Sequence, residues 1–502
     1  QRQFLAGLDA LHAAGLLHTF EASKREFIGE HGATQLLLVQ GPPGTGKSYS
    51  TAFAIFARIQ GAMATNIPYR VFLSCKTHSA TDVLLDNVVD VQRLLEKISV
   101  RHPVIFRQYF DYALLHIPLF RLRPRGEVVE GITPLPKDDE RQSGIPKAIE
   151  MIEADQWGVV AATPGGIYGL LKERWPKELF GHHLADCLVL DEASQMNLPE
   201  AVMAALPLAP DGRLIVVGDH RQMPPIVKND WSNERRRTFQ EFRSYESLFL
   251  TLMPLQPVMI KFAESFRLHA DMAEFLRREI YQHDGIAYHS NRHDLLAERT
   301  ILDPFVAAAL TPNHPLTVVI HDESSSQHRN RFEQKLMAPI LMVLADADGY
   351  HLDPLEGLGV VVPHHAQRAA LQEDLPELSI IDPDTGAIVA SAADTVERFQ
   401  GGERTVILIG ATESDREYLL VSGKFLLDPR RLTVALSRAK RKMVLIAARS
   451  VFEVFSADEE TFANAQLWKN LLRRTCTVPL WQGNRDGIPV EVWGNLPANP
   501  PI

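Results

Sequence analysis

At 502 residues the chain is too long for a single core, and its length implies roughly two to four domains. Apolar content of 45% and charged content of 23% are those of an ordinary soluble globular protein, and no apolar run reaches the roughly eighteen residues of a membrane-spanning helix. The net charge of -10 excludes a diffusely basic surface that would hold duplex nucleic acid by charge alone, while a local positive groove is compatible with it.

The chain opens at Gln1 without an initiator Met or a signal-like start, so it is expected to be a piece of a longer polypeptide. The first chemical landmark follows the apolar run Gln35 to Gln40 and reads Gly41-Pro-Pro-Gly-Thr-Gly-Lys47-Ser48. A strand that delivers a glycine-rich turn to a helix N-terminus is a phosphate loop. Backbone N–H groups around Gly41, Gly44 and Gly46 wrap the phosphates, Lys47 reaches the β and γ oxygens, and the Ser48 hydroxyl holds Mg²⁺. By itself the loop says only that a nucleoside triphosphate binds. A second buried run, Cys187 to Leu190, ends in Asp191-Glu192, which adds Walker B chemistry: Asp191 for the Mg²⁺ shell and Glu192 to orient or deprotonate the attacking water. A third run, Arg213 to Val217, ends in Gly-Asp and presents Gln222, an uncharged side chain able to sense the γ-phosphate and report its loss.

Apolar runs alternate with helical stretches at Leu36 to Val39, Val71 to Ser74, Val159 to Ala162, Leu188 to Leu190 and Leu214 to Val217. A second series at Val318 to Ile320, Gly359 to Val362, Val406 to Ile409 and Met443 to Ala447 repeats the theme. Alternation of this kind is the signature of βαβ units, so the expected fold is α/β: two tandem RecA-like P-loop NTPase domains, parallel sheets flanked by helices. The domains are expected at 1–254 and 255–450, with the junction at Met253-Pro-Leu-Gln-Pro257, where prolines interrupt a helical pattern. Residues 451–502 read as a C-terminal helix, entered through the capping-box pattern Ser456-Ala-Asp-Glu459, and a Pro-rich tail, packing on the second domain.

An insert at about 87–155 mixes arginines with aromatics. The mixture suits a single-strand clamp, since Arg neutralises phosphates and rings stack on bases. It equally suits a helical insert whose aromatics form a small core of their own. Glu234-Arg-Arg-Arg237 reads as a solvated loop. Cys75, Cys187 and Cys476 lie far apart without metal spacing, which argues against disulfides and iron–sulfur clusters and for a reducing, cytoplasmic setting.

Gly218-Asp-His-Arg-Gln-Met-Pro-Pro225 resembles motif III of superfamily 1 helicases, in the 1B branch that includes the nonsense-mediated-decay helicase and the replication nuclease-helicase. Cys75-Lys-Thr-His-Ser-Ala-Thr-Asp82 resembles motif Ia and Val159-Val-Ala-Ala-Thr163 motif Ic. Ser265-Phe-Arg-Leu-His-Ala270 resembles motif IV, and Pro363-His-His-Ala-Gln367 the segment after it. Thr395-Val-Glu-Arg-Phe-Gln-Gly-Gly-Glu403 resembles motif V, and Arg430-Arg-Leu-Thr-Val-Ala-Leu-Ser-Arg-Ala439 motif VI. The segments come in the family's order.

The resemblance implies an ATP hydrolase that moves 5′-to-3′ on single-stranded nucleic acid, DNA or RNA, with no membrane partner. It implies that Gln1, or alternatively Gln3, reads adenine, that Glu403 contacts ribose, and that Arg267 and Arg438 act as arginine fingers on the γ-phosphoryl group. Thr77, His78 and Thr163, then His364, Gln367 and Thr395, would contact the strand. An alternative within the same resemblance is a nucleic-acid-stimulated ATPase switch that does not unwind, acting as the motor part of a larger repair or defence protein. An AAA+ protein remodeller shares the phosphate loop but would lack the second series of strands. No carboxylate-and-lysine nuclease constellation is visible.

Overall fold

A computed structural model describes residues 1–135, 148–225, 246–346, 348–383, 385–386, 388–399 and 402–497. The patch Glu234 to Arg237 and the proline-rich end beyond residue 497 lie outside the described residues. The chain forms two compact units: Gln1–Gly41 with Gly46–His220 and Pro224–Phe262, and Pro42–Thr45 with Arg221–Met223 and Ala263–Ile502.

The first unit is built on strands β1 (Leu36–Gln40), β2 (Tyr69–Ser74), β3 (Leu119–Leu122), β4 (Ile132–Leu135), β5 (Trp157–Ala161), β6 (Ala185–Leu190), β7 (Leu208–Gly218) and β8 (Val258–Lys261). They form an 8-stranded sheet in the order β4-β3-β5-β2-β6-β7-β1-β8, and every neighbouring pair runs parallel. Such strands are apolar on both faces because helices cover both. Leu37 and Val39 of β1 accordingly join the core beneath helices α1 (Arg2–Ala13), α2 (Ala22–Gly29), α3 (Lys47–Met63) and α4 (His78–Arg101). Leu38, pointing the other way, joins the opposite core with Phe72, Val160 and Leu188.

The expected insert begins in the middle of α4, so it is no separate module. Phe106 and Phe110 are buried, and the Phe110 ring meets that of Phe4 edge-on at 5.2 Å. Phe120 lies in β3 and is buried against the opposite face. These rings are core, not a base-stacking surface. Arg121, only 1% exposed, is pinned to Asp82 by an ion pair of 2.5 Å.

The expected junction at Met253 to Pro257 is also corrected. That segment is a tight turn, with Gln256 in the left-handed region, from which the chain enters β8 beside β1. The backbone pairing of Val258–Lys261 with β1 carries the first unit through Phe262.

In the second unit, β9 (Glu264–His269) and β10 (His289–Arg292) form a small pair. The main strands are β11 (Leu316–His321), β12 (Leu358–Val362), then β13 (Ser379–Ile381) with β14 (Ile388–Ser391) as a separate ribbon, β15 (Ala393–Thr395), β16 (Arg404–Gly410), β17 (Ala439–Ala448), β18 (Val478–Arg485) and β19 (Ile488–Gly494). The 7-stranded sheet runs β15-β12-β16-β17-β11-β19-β18. It is parallel through β11, after which β19 and β18 add antiparallel.

Residues 451–502 thus add a hairpin beyond the helix and tail expected from their sequence. Its turn is Asp486-Gly487 with φ of 49° and 80°, the left-handed pair that a two-residue hairpin loop requires. The tail helix spans Glu459–Asn470, and its cap is Asp458, which accepts from the Thr461 N–H, while Ser456 instead accepts from the Asp458 N–H.

Candidate nucleotide and strand sites

Strand β1 ends at Gln40, and the chain turns through the glycine loop into α3. Gly44 and Gly46 have φ of 74° and 73°, a conformation that costs glycine nothing and other residues about 1 kcal/mol or more. Within the second unit a Cβ on Gly44 would come within 2.6 Å of the Ser265 hydroxyl and of Arg267 Cβ, so space as well as backbone demands glycine. The Lys47 ammonium donates to the Gly41 carbonyl at 2.9 Å. One residue on, the Ser48 hydroxyl donates to Asp191 Oδ2 at 2.7 Å.

Asp191 stands at the end of β6, buried. Desolvation, helped by the charge of Glu192, pushes its carboxyl up to about 6 against the pull of Lys47 and Ser48. A buried carboxylate beside a hydroxyl at the N-terminus of a 17-residue helix is an oxygen donor set suited to a hard divalent cation. Glu192 follows with φ of 52°, a strained backbone for a non-glycine residue. Its N–H donates to Asp191 Oδ1 at 2.8 Å, and Gln195 donates to its carboxylate at 3.3 Å. Lys76, a site residue with no local sequence signal, ties this turn down by donating to the Gln195 carbonyl at 3.0 Å and pairing with Glu200.

The second unit gathers another set of expected residues. Arg267 on β9 pairs with Glu403 at 2.5 Å and donates to the Ser437 carbonyl at 3.4 Å. Glu403 is also paired with Lys440 at 2.7 Å. Burial raises the Glu403 carboxyl, but Arg267 and Lys440 together outweigh it and hold the group below its ordinary range. Arg438 is buried and fans out to the Val434 carbonyl at 3.3 Å, the Gly402 carbonyl at 3.4 Å and Gln222 Oε1 at 3.4 Å. Gln222, Arg267, Glu403 and Arg438 therefore form one cluster. Tyr288, unmarked in the sequence, donates to the Pro43 carbonyl at 2.7 Å in the same unit.

The expected strand residues sit at the C-terminal ends of neighbouring strands. After β2, Thr77 caps α4 by accepting from the Ala80 N–H at 3.2 Å, and the His78 imidazole lies 3.1 Å from the Arg121 guanidinium. Burial and then the charges of Arg121 and Arg125 lower the His78 pKa. After β5, Thr163 caps the helix Pro164–Arg174. In the second unit His364 follows β12, and Thr395 ends β15 beside it.

Two AAA-domain family models match residues 24–228 and 244–450. The DNA replication ATP-dependent helicase/nuclease DNA2 of Bos taurus is 24% identical over 433 residues, covering 82% of this chain and 35% of its own length. The Regulator of nonsense transcripts 1 homolog of Neurospora crassa is 23% identical over 475 residues, covering 92% and 39%. Both halves of this chain are thus similar to AAA domains, and most of its length to these two relatives. It spans little more than a third of the length of these relatives.

Some expected assignments fail on position. Gln1 lies beside Gly61 and Gly32 and lines a pocket of about 450 Å³ with Arg58, Tyr69, Asp186 and Arg213. Gly61 is near the far end of α3 from Lys47, roughly 20 Å away at 1.5 Å per residue. Gln1 therefore cannot read a base whose phosphates lie on the loop, and Gln3, exposed and donating to the Gln108 carbonyl, is no better placed. Lys24 on α2 is a buried polar side chain near the root of the loop. It is 3.3 Å from Glu21 and 5.6 Å from the Phe262 ring centre, and the Phe262 N–H donates to the Gln40 carbonyl. Position on the helix directly before β1 was the available signal. Gln367 is 0% exposed, its amide bonded to the N–H and carbonyl of Asn330 at 2.8 and 3.2 Å, so it cannot touch a strand. The Thr395 side chain is buried as well.

Proposed function

We propose that this chain is an ATP-driven motor that moves 5′-to-3′ along single-stranded nucleic acid, DNA or RNA. The observation that carries the reading is the Ser48–Asp191 hydrogen bond at the N-terminus of α3, one residue from Lys47 and one from Glu192. Ser48 and Asp191 would hold Mg²⁺, which when bound supplies positive charge to the phosphate oxygens. Lys47 and the loop N–H groups bind and orient the triphosphate. Glu192, held by Asp191 and Gln195, takes the proton of the water that attacks the γ-phosphorus as the bond to ADP breaks. Arg267 and Arg438 contribute charge to the transferring group, and Gln222, bonded to Arg438, reports its presence.

The ordered strand-end residues Thr77, His78, Thr163 and His364 support a strand partner. Polarity rests on the likeness of motifs III and VI to those of 5′-to-3′ motors. The chain would act within a longer polypeptide or assembly. No helix among the described residues is long and apolar enough to cross a membrane, and the free cysteines, all buried, support a cytoplasmic setting. Matched duplexes with a 5′ or a 3′ single-stranded tail test the reading. ATP-dependent unwinding of the 5′-tailed duplex alone is expected. Unwinding confined to the 3′ tail refutes the polarity. ATP turnover stimulated by single strands without unwinding of either duplex identifies a switch instead.

A further inference from the structure

The second unit holds a column of π systems that reaches beyond the motif segments through His328, Tyr418 and Phe425. Tyr418, on the helix Arg416–Leu426, meets the His328 ring at 5.2 Å and bonds to its Nδ1 at 3.1 Å. His328 stacks on His364 at 4.8 Å, and His364 on Phe425 at 5.6 Å with the planes 19° apart. The Arg431 guanidinium closes the far end, 3.7 Å from the centre of the Phe425 ring. Below the column the buried carboxylate of Glu413 bonds to His364 Nε2 at 2.8 Å.

The exposed member is His328, in the loop between β11 and the helix Arg331–Ala345. That loop is fastened at several points. The Ser326 N–H donates to the Ser414 hydroxyl at 2.8 Å, and the Ser326 carbonyl accepts from the N–H groups of Ser414 and Asp415. Asn330, fully buried, caps the following helix, donates to Glu323 and to the Thr412 carbonyl, and is gripped by Gln367. Ordering a loop so thoroughly costs conformational entropy at every residue. The buried anchors hold the loop, and the imidazole it presents stays exposed, an arrangement that preorganises a binding surface. Aromatic faces that end a stack in water take up another flat π system, and a nucleobase without its pairing partner offers one whatever its identity. Arg329, exposed next to His328, adds a cation for the phosphate that comes with such a base.

We infer that an unpaired base of the bound strand extends the His364–His328 stack at its exposed His328 end. Gln367 then acts as a positioning residue, holding Asn330 and through it the loop. The inference rests on the single-strand motor reading.

The test measures equilibrium binding of the chain, without ATP, to oligothymidine and to an abasic oligonucleotide of the same length. His328→Ala should weaken oligothymidine binding about tenfold, the effect of losing one base–aromatic stack, and leave binding of the abasic strand unchanged. His328→Phe should retain oligothymidine binding within about threefold, because a ring remains to stack on. Gln367→Ala should show the same base-dependent loss, and should add nothing to His328→Ala in the double variant. Unchanged oligothymidine binding by His328→Ala overturns the inference, as does an equal loss on the abasic strand. Failure of the unaltered chain to bind either strand overturns the motor reading itself.

Discussion

The two sheets solve the same local problem in opposite ways. In each, a strand buried on both faces must hand the chain to a helix whose first N–H groups lack partners within the helix. After β1 the loop supplies almost no side chains, and glycines in left-handed conformation leave the backbone open to an anion. After β11 the corresponding position is filled. His321 and Glu333, both 0% exposed, face each other at 3.3 Å. Asn330 caps the helix, and Glu333 accepts from the Thr412 N–H at 2.8 Å. Burial pushes the Glu333 carboxyl up while His321 and Thr412 oppose it. One sheet thus leaves its donors for a ligand, and the other satisfies them internally and spends the rigidity on presenting side chains.

The largest effects should fall where the backbone is open. Lys47→Ala should abolish strand-stimulated ATP hydrolysis, and Glu192→Gln should leave ATP bound with turnover down by about 10³ or more, because the proton acceptor is gone. Steady-state turnover with nucleotide binding checks both. Normal turnover in either variant would break the comparison.

Arg267→Ala and Arg438→Ala should each lower turnover by about 10³ while ATP affinity stays within roughly tenfold, since their charge matters most at the transition state. A loss seen mainly in affinity would mean that these arginines serve ground-state binding or only the Glu403 cluster.

Stability should show the reverse asymmetry. Removing one partner of the second unit's buried pair, with His321→Ala, should cost about 3 kcal/mol in urea unfolding. Ser48→Ala, in the open site, should cost about 1 kcal/mol yet remove most activity. Equal losses of stability would erase the distinction between the two strand ends. At the small end, Gln1→Ala should leave KM for ATP within about twofold, since its side chain lies by the far end of α3. A larger rise would restore Gln1 to the nucleotide.

Much of this division was readable in advance. The phosphate loop, Asp191-Glu192 and the alternation of apolar runs are contiguous patterns, and a strand–glycine–helix turn can be recognised without knowing what packs against it. The clustering of Arg267, Glu403 and Arg438 depended on motif order, not on any local rule. Gln367 and Thr395 were expected at a strand and Gln1 at adenine, while the aromatics of the insert suited either bases or a core of their own; each judgement needed to know which surface the side chain faces. The hairpin at Asp486-Gly487 carries a local turn signal, but its pairing with β11 is a contact distant in sequence.

Backbone demands such as glycine at positive φ, a hydroxyl one residue after the loop lysine, or an acid at the end of an apolar run are met by neighbours in the chain. For those, 502 residues in order were enough. Burial and partnership are properties of pairs distant in sequence: Arg121 with Asp82, Gln367 with Asn330, β19 against β11, His328 on His364. Only the folded chain chose among the many partners each of those side chains could have had, because desolvation and hydrogen bonding are settled by what arrives beside a residue in space.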